Sequence, residues 1–408
     1  MDYNTLTGSI MSRRRFSKAS GREVSEELLE RLGHPEAGMK IIEIAGTNGK
    51  GSTAAFLCSI LKEAGFRVGM FTSPHLVRFS ERIRIDDEEI GEEDVIRIAD
   101  RVLNVSMSTE PTMFDLCLAI ALIYFSERKC DYVILEAGLG GRLDSTAGIG
   151  EVPLVTVITR IGLDHTEYLG DTLSAIAGEK AGVLKPGTKC VIAKSDDEAK
   201  RVIKSRCEEL NIPYVNAEDT PIPSGTTLGL MGLYQEENAK NAAAAFLLLD
   251  AVEAAAAEGL ISRGLSKAKW PGRMHLVNTD PVILLDGAHN PQGIRALSES
   301  LRAKWPGERF IFVMGVLSDK DYGDMIGPLV EIADHFIATG VSEMPRALAP
   351  EELSKVISRA GASCEVCPVA REAVKRAAGE AKEKGLKVVA CGSLYMIGEL
   401  LRYEGGAQ

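Results

Sequence analysis

The chain has 408 residues, too many for one typical core, and its 45% hydrophobic content is ample to bury two. A formal net charge of −11 argues against a general nucleic-acid binder. The first 20 residues carry no apolar signal core, and no long uncharged apolar segment suits a membrane span. Eight cysteines lie scattered without the density of a disulfide scaffold, so a reduced cytoplasm is the simplest reading. Cys364 and Cys367 form a C-x-x-C, but no second pair completes a zinc site, and two ordinary buried cysteines are expected.

The first strong element is the apolar run Ile41, Ile42, Ile44 and Ala45, which reads as a buried strand. Gly46-Thr47-Asn48-Gly49-Lys50-Gly51-Ser52-Thr53 follows it. After that, Leu57, Ile60, Leu61 and Ala64 recur at helical spacing. Three glycines, a lysine and two hydroxyls therefore sit where a strand becomes a helix. Glycine lets backbone approach an anion, and the N–H groups of a first helical turn favour phosphate. Lys50 adds a point charge, expected to be exposed, and Ser52 or Thr53 offers a hydroxyl to phosphate or its Mg²⁺. The common phosphate-loop pattern is G-x-x-x-x-G-K-[ST], and Gly51 departs from it by separating Lys50 from the hydroxyls.

Further along, Thr72-Ser73-Pro74-His75 follows the short strand Val68 to Phe71. There a hydroxyl can bind a metal or cap a turn. Glu136 ends the run Tyr132 to Leu135 and precedes Ala137-Gly138-Leu139-Gly140-Gly141-Arg142. A carboxylate at the end of a parallel strand lies where open α/β sheets place ligands, and an ion pair with Arg142 is the competing reading. Asp164-His165 follows the strand Val155 to Ile158 at a similar edge. Magnesium prefers oxygen ligands, so a histidine on it would be unusual.

Strands at Cys190 to Ala193 and those above alternate with amphipathic helices, the pattern of a mostly parallel sheet covered by helices. One core helix is expected from Glu237 to Glu258, with Ala254 to Ala257 inside it. Lys269-Trp270-Pro271-Gly272-Arg273 then breaks the pattern. A new strand starts at Val282, and Phe310 to Val313, His335 to Ala338, Cys364 to Val369 and Lys387 to Ala390 continue a second α/β domain. No sequence repeat or low-complexity tract interrupts this organisation.

Taken together these blocks resemble the folylpolyglutamate synthase/dihydrofolate synthase branch of the Mur ligase superfamily. The resemblance rests on AGTNGKGS at 45–52, TSPHL at 72–76, ERI at 81–83, EAGLGGRLDST at 136–146, LDHTEYLG at 163–170 and EKAGVLKPG at 179–187. It continues through Gln235 and Asn238, PGR at 271–273, DGAHNP at 286–291, SDKD at 318–321 and GSLY at 392–395. It implies a phosphate-loop, Mur-ligase-like ATPase domain with a parallel-rich sheet over residues 1–274. A smaller Rossmann-like glutamate-ligase domain is implied over 275–408.

The resemblance also implies residue roles. Gly46, Thr47, Asn48, Gly49, Lys50, Gly51 and Ser52 would hold ATP, with Asn238, Arg273 and Asp286 on the nucleotide, which would lie between the two domains. Ser73, Glu136 and His165 would bind Mg²⁺, two ions being expected. Lys180, which composition alone would pass as a surface lysine, would be carbamylated and act in catalysis with Lys50 and His289. Phe114, Asp115, Leu143, Asp144 and Ser145 would meet the acceptor, Phe114 by stacking on a pterin ring. From its helical spacing with Leu118 and Ala121, Phe114 could equally be core.

Three blocks depart from the family pattern on the pterin side: Gly21-Arg22-Glu23-Val24, Thr112-Met113-Phe114-Asp115, and Ala147 in place of an asparagine. The expected activity is an ADP-forming acid–amino-acid ligase of folate biosynthesis and one-carbon metabolism. It would join L-glutamate to dihydropteroate, a reduced folate, or both, through an acyl phosphate. A Mur-type ligase with another acceptor and a non-catalytic nucleotide-binding regulator are the rival readings. A cytoplasmic monomer is expected, without nucleic-acid or membrane partners.

Overall fold

The computed structural model describes residues 2–14, 21–342 and 344–404. Residues 15–20 of the N-terminal stretch and 405–408 at the end of the expected second domain lie outside the described residues. The described chain divides into two compact units, one of Met1–Gly229 with Glu237–Lys269, the other of Leu230–Glu236 with Trp270–Gln408.

The first unit is built on a sheet of β1 (Ile41–Ala45), β2 (Val68–Phe71), β3 (Ile83–Ile85), β4 (Glu88–Glu89), β5 (Tyr132–Glu136), β6 (Val155–Ile158), β7 (Lys189–Ile192) and β8 (Tyr214–Asn216). Their order is β4-β3-β2-β5-β1-β6-β7-β8. The five pairings from β2 to β8 are parallel, and the β2–β3 and β3–β4 pairings are antiparallel. Strands β1, β2, β5 and β6 are buried along their whole length, as strands covered on both faces must be. The chain leaves β1 toward β2 on one side and later returns past β1 from β5 to β6. The carboxyl end of β1 is thus a point where the strand order reverses, and open α/β sheets bind ligands there.

Helices Tyr3–Met11, Gly21–Arg31, Glu92–Leu103 and Met113–Glu127 supply the core on one face through Leu6, Ile10, Leu28, Val95, Ile120 and neighbours. The helix Lys50–Glu63 continues from the glycine loop and packs against the helix Ala254–Lys267. Their approach is so close that a Cβ on Gly264 would lie 2.5 Å from the Ile60 Cα, and Ser59 Oγ donates to the Gly264 carbonyl at 2.7 Å.

The expected single helix from Glu237 to Glu258 is instead two, Tyr234–Leu248 and Ala254–Lys267. Asp250 adopts a left-handed φ of 51°. Lys189 Nζ donates to the Leu248 carbonyl at 2.7 Å and to Asp250 Oδ2 at 2.7 Å, which ends the first helix before the alanine run can continue it.

The second unit carries β9 (His275–Thr279), β10 (Val282–Leu285), β11 (Phe310–Met314), β12 (Ala333–Ala338), β13 (Cys364–Val366) and β14 (Lys387–Cys391) in the order β13-β12-β11-β14-β10-β9. All of its pairings are parallel except β9 with β10. The sequence pattern starts this sheet at Val282 and passes over β9, an edge strand whose residues are half-buried or exposed and so carry no apolar run. Cys364 and Cys367 are half-buried rather than buried, because β13 is the opposite edge.

Candidate active site

Four neighbouring strands, β2, β5, β1 and β6, lead into Ser73, Glu136, the loop 46–52 and His165 at one sheet edge, while Lys180, Asn238, Phe114 and Asp115 come from helices. The loop after β1 is shaped by glycine. Gly46 has φ 145°, and a Cβ there would lie 1.9 Å from Thr159 Oγ1. Gly49 has φ 91°, and a Cβ there would lie 2.2 Å from Asn238 Oδ1. Asn238 therefore touches the loop that it shares a site with in the sequence reading. Thr47 and Asn48 turn their N–H groups to the Arg160 carbonyl at 3.0 and 3.2 Å. Thr47 Oγ1 lies 3.1 Å from the Gly162 carbonyl, so the loop after β6 braces the loop after β1. The helix begins at Lys50, which leaves the N–H groups of residues 50–52 in its first turn without intrahelical acceptors. Ser52 and Thr53 are both buried, and Thr53 Oγ1 has no hydrogen-bond partner among the described residues.

Lys50 is not the exposed lysine expected: its side chain is only 17% exposed. Its Nζ donates to the Gly46 carbonyl at 3.1 Å and lies 3.8 Å from Glu136 Oε1. Lys180 is no surface lysine either. It is buried in the last turn of the helix Leu173–Ala181, and its Nζ donates to the same Gly46 carbonyl at 2.8 Å. Burial comes from the loop 139–142, which presses on this helix: a Cβ on Gly141 would lie 2.7 Å from the Glu179 and Lys180 carbonyls. Burial first, and the Lys50 charge second, lower the Lys180 ammonium to about 7, while Asp164 and Asp144 pull the other way. Two amines thus converge on one carbonyl oxygen, and one of them is within reach of its neutral form at neutral pH.

Glu136 ends β5 and is buried. Its competing pairing with Arg142 does not occur. Arg142 bonds Glu179 at 2.9 Å on the surface. Glu136 Oε2 instead accepts from the Ser73 N–H at 3.2 Å, which brings two of the three expected metal ligands together. His165 stands beyond β6 with φ 51° and a side chain 41% exposed, beside Asp164. Among the described residues no three His, Cys, Asp or Glu side chains gather into a metal cage. One buried carboxylate and a hydroxyl residue beside a phosphate loop fit Mg²⁺, which keeps waters and takes phosphate oxygens as ligands.

The residues expected to meet an acceptor come together where the loop after β5 meets the start of the helix Met113–Glu127. Asp115 is buried in the first turn of the helix Met113–Glu127, where it forms a capping box with Thr112, and it accepts from the Thr112 N–H at 2.8 Å and from Ser145 Oγ. Asp144 is buried and accepts from the Leu139 N–H at 2.8 Å and the Thr146 N–H at 3.1 Å. Burial raises both carboxyls above their ordinary values. Leu143 is 47% exposed. The Phe114 ring is half-buried, 5.3 Å from the Phe71 ring and against Gly138, where a Cβ would lie 2.8 Å away. Sequence reasoning missed what supports this loop: Arg22 N–H bonds the Leu143 carbonyl at 3.2 Å, and Ser25 Oγ bonds the Ser145 carbonyl at 2.6 Å. The poorly matching segment at 21–24 therefore lies against the acceptor loop.

In the second unit Asp286, just after β10, is buried and organises its own loop. Its carboxylate accepts from Tyr234 OH at 2.7 Å, Met274 N–H at 2.8 Å and Ala288 N–H at 2.8 Å. Burial and the Asp286 charge push the Tyr234 phenol well above its usual range, so it stays a donor. Tyr234 was not selected from sequence, although it adjoins Gln235. Arg273 lies beside this loop, its Nη1 2.3 Å from where a Gly287 Cβ would be. His289 Nδ1 meets the Gly287 carbonyl at 2.8 Å, which fixes the ring.

Residues 44–220 match the Mur ligase middle domain and residues 272–394 the Mur ligase glutamate ligase domain. The dihydrofolate synthase/folylpolyglutamate synthase of Bacillus subtilis is 38% identical over 381 residues, 86% of this chain and 88% of that one. Escherichia coli FolC, crystallised with DHPP and ADP, superposes with a TM-score of 0.89 at 28% identity, covering 99% of this chain and 97% of that one. The bifunctional folylpolyglutamate synthase/dihydrofolate synthase of Yersinia pestis, complexed with AMPPNP and Mn ion, gives a TM-score of 0.89 at 29% identity and covers 99% and 98%. No described helix is long and apolar enough to cross a membrane. With these likenesses running through both units, the chain belongs to the dihydrofolate synthase/folylpolyglutamate synthase family of Mur ligases.

Proposed function

We propose that this chain joins L-glutamate to a reduced pteroate or folate with conversion of ATP to ADP and phosphate. The observation that carries the reading is the glycine-shaped loop after β1 with Lys50, Lys180 and Glu136 gathered at its mouth. An acceptor carboxylate oxygen takes the γ-phosphoryl group, giving an acyl phosphate and ADP. The glutamate nitrogen then attacks the acyl carbon, the C–O bond to phosphate breaks, and the nitrogen loses a proton. Backbone N–H groups at 50–52 and the Lys50 ammonium stabilise charge on the transferring group without reorganising. Ser73 and Glu136, with His165, would hold Mg²⁺, whose charge would offset that of the phosphates. Asn238, Arg273 and Asp286 serve the nucleotide, and His289 orients phosphate or moves a proton.

Lys180 supports a further step within this reading. Its neutral amine attacks the carbon of CO₂, an N–C bond forms, and a proton leaves, giving an anionic carbamate. The repulsion between two ammonium groups on one carbonyl then becomes attraction to Lys50. The enzyme acts in the cytoplasm as a monomer. The test is ADP release with ATP, L-glutamate and each of dihydropteroate and reduced folates in turn. Release that depends on both glutamate and one of these acceptors supports the reading, and release indifferent to every acceptor sinks it.

A further inference from the structure

Glu43 is a buried acid in the middle of β1 that the reaction does not use. Alternation along the strand sets it on the same face as Ile41 and Ala45. Its Oε1 lies 2.7 Å from Thr146 Oγ1, and its Oε2 is buried with no hydrogen-bond partner among the described residues. Thr146 Oγ1 also lies 3.0 Å from Asp144 Oδ1. A threonine hydroxyl carries one hydrogen, so it donates to only one of these carboxyls. The other contact is a hydrogen bond only if that carboxyl brings its own proton.

The surroundings decide which one does. Asp144 accepts from two backbone N–H groups, which favour its anion. Glu43 receives none of that support. From the elements packed around it Glu43 faces Thr146 and Asp144 on the loop after β5, and Lys185 beyond the helix Leu173–Ala181. Lys185 Nζ is engaged by the Ile149 carbonyl, and the Arg22, Glu26 and Glu36 charges act on it.

We propose that Glu43 is a protonated positioning acid for the acceptor loop: its hydroxyl donates to Thr146 Oγ1, which donates to Asp144. Asp144 in turn holds the Leu139 N–H and shapes the turn that presents Leu143. Burial raises Glu43 to about 7, so the relay breaks as pH climbs past neutrality and two anions then compete for one hydroxyl. The positioning role rests on the ligase reading, while the place of the proton does not.

Two measurements on the whole protein separate them. Difference infrared spectroscopy at about pH 6, below the value that burial gives Glu43, should show a protonated-carboxyl stretch that Glu43→Gln abolishes. Its absence, or its survival in the Gln variant, overturns the assignment. In steady-state kinetics Glu43→Gln, whose amide still donates to Thr146, should keep the acceptor KM within about twofold and remove its rise above neutral pH. Glu43→Leu should raise the acceptor KM roughly tenfold or more with the ATP KM unchanged, as loss of a buried donor predicts. Thr146→Val, which removes the bridging hydroxyl and keeps Glu43, should raise the same KM and guards against misfolding of the Leu variant. A Gln variant as impaired as Leu, or a Leu variant with normal acceptor KM, overturns the positioning role. If the wild type turns over no pteroate or folate, the ligase reading fails, and the infrared band still decides where the proton is.

Discussion

Two lysines share one carbonyl oxygen at the mouth of the phosphate loop, and two carboxyls share one hydroxyl beneath the acceptor loop. Both arrangements press like charges together in a buried place. Burial above all, with the like charge adding to it, moves one member of each to about 7, Lys180 from above and Glu43 from below. They differ in what relieves them. The lysine pair opens toward Glu136 and the glycine loop, so in the proposed reaction an incoming phosphate would relieve it. The carboxyl pair is buried beneath its own loop, so a proton must relieve it. A pair of like charges is therefore read as chemistry or as architecture by what can reach it.

The largest effect should come from breaking the lysine pair. Lys50→Ala should lower ADP release by about 10²–10³-fold, the range for losing a preorganised charge on a developing anion. Because the Lys50 side chain is only 17% exposed beside buried Glu136, the variant should melt somewhat lower while its far-ultraviolet circular dichroism stays that of the wild type. It should also return Lys180 toward the ordinary ammonium range, because the Lys50 charge is the second cause of the Lys180 shift. Slower labelling of Lys180 by an amine-selective reagent at neutral pH would report that return. Near-normal turnover in this variant would remove the distinction between the two pairs.

Next, Lys180→Ala should cost about 10²-fold in turnover, and millimolar short carboxylates should restore part of it, as an anion standing in for a carbamate would. Failure of every carboxylate to rescue, together with an unmodified Lys180 in a nucleotide-bound crystal grown with bicarbonate, would argue against carbamylation.

The two pairs also tilt stability in opposite directions with pH. Glu43 has a folded value raised from 4.5 to about 7, so its contribution is full below 4.5 and is lost as pH rises through about 7. Relative to Glu43→Gln, the wild type should lose on the order of 3 kcal/mol across that window, read from denaturant midpoints. Lys180 has a folded value lowered from 10.5 to about 7, so its contribution is present above 10.5 and is lost as pH falls toward about 7. Near neutrality each pair is close to its least favourable state. A stability difference between wild type and Glu43→Gln that does not change with pH would contradict the buried-proton account.

The smallest effect belongs to an ion pair outside both. Arg142→Ala removes a pairing with Glu179 in which the arginine is 54% exposed, and should shift stability by less than about 1 kcal/mol. A larger loss would mean that Arg142 braces the loop that buries Lys180.

The sequence makes the strand-to-helix loop at 46–49 legible because an apolar run, three glycines around a lysine, and helical spacing follow one another directly. It makes Glu136 legible as a strand-end carboxylate, though not its partner, since the choice between Lys50 and Arg142 depends on which loop folds over which helix. Lys180 hides for the same reason: its burial is imposed by Gly141, some forty residues away in the chain. Glu43 hides inside an apolar run, where a single acid between isoleucines looks like noise until Thr146 is brought beside it. Strand β9 escapes because a half-exposed edge strand has no apolar signature. The helix break at Asp250 escapes because the capping lysine comes from β7.

The contact between Gly264 and Ile60 gives the phosphate-loop helix a fixed bearing. With the Gly264 backbone set directly against Ile60, the helix Lys50–Glu63 has no room to slide toward its neighbour. Any accommodation of a nucleotide by this helix's amino end would therefore fall on residues 46–49, which the Arg160 and Gly162 carbonyls brace. A methyl group at position 264 would displace the aim of the whole first turn from a point more than two hundred residues along the chain.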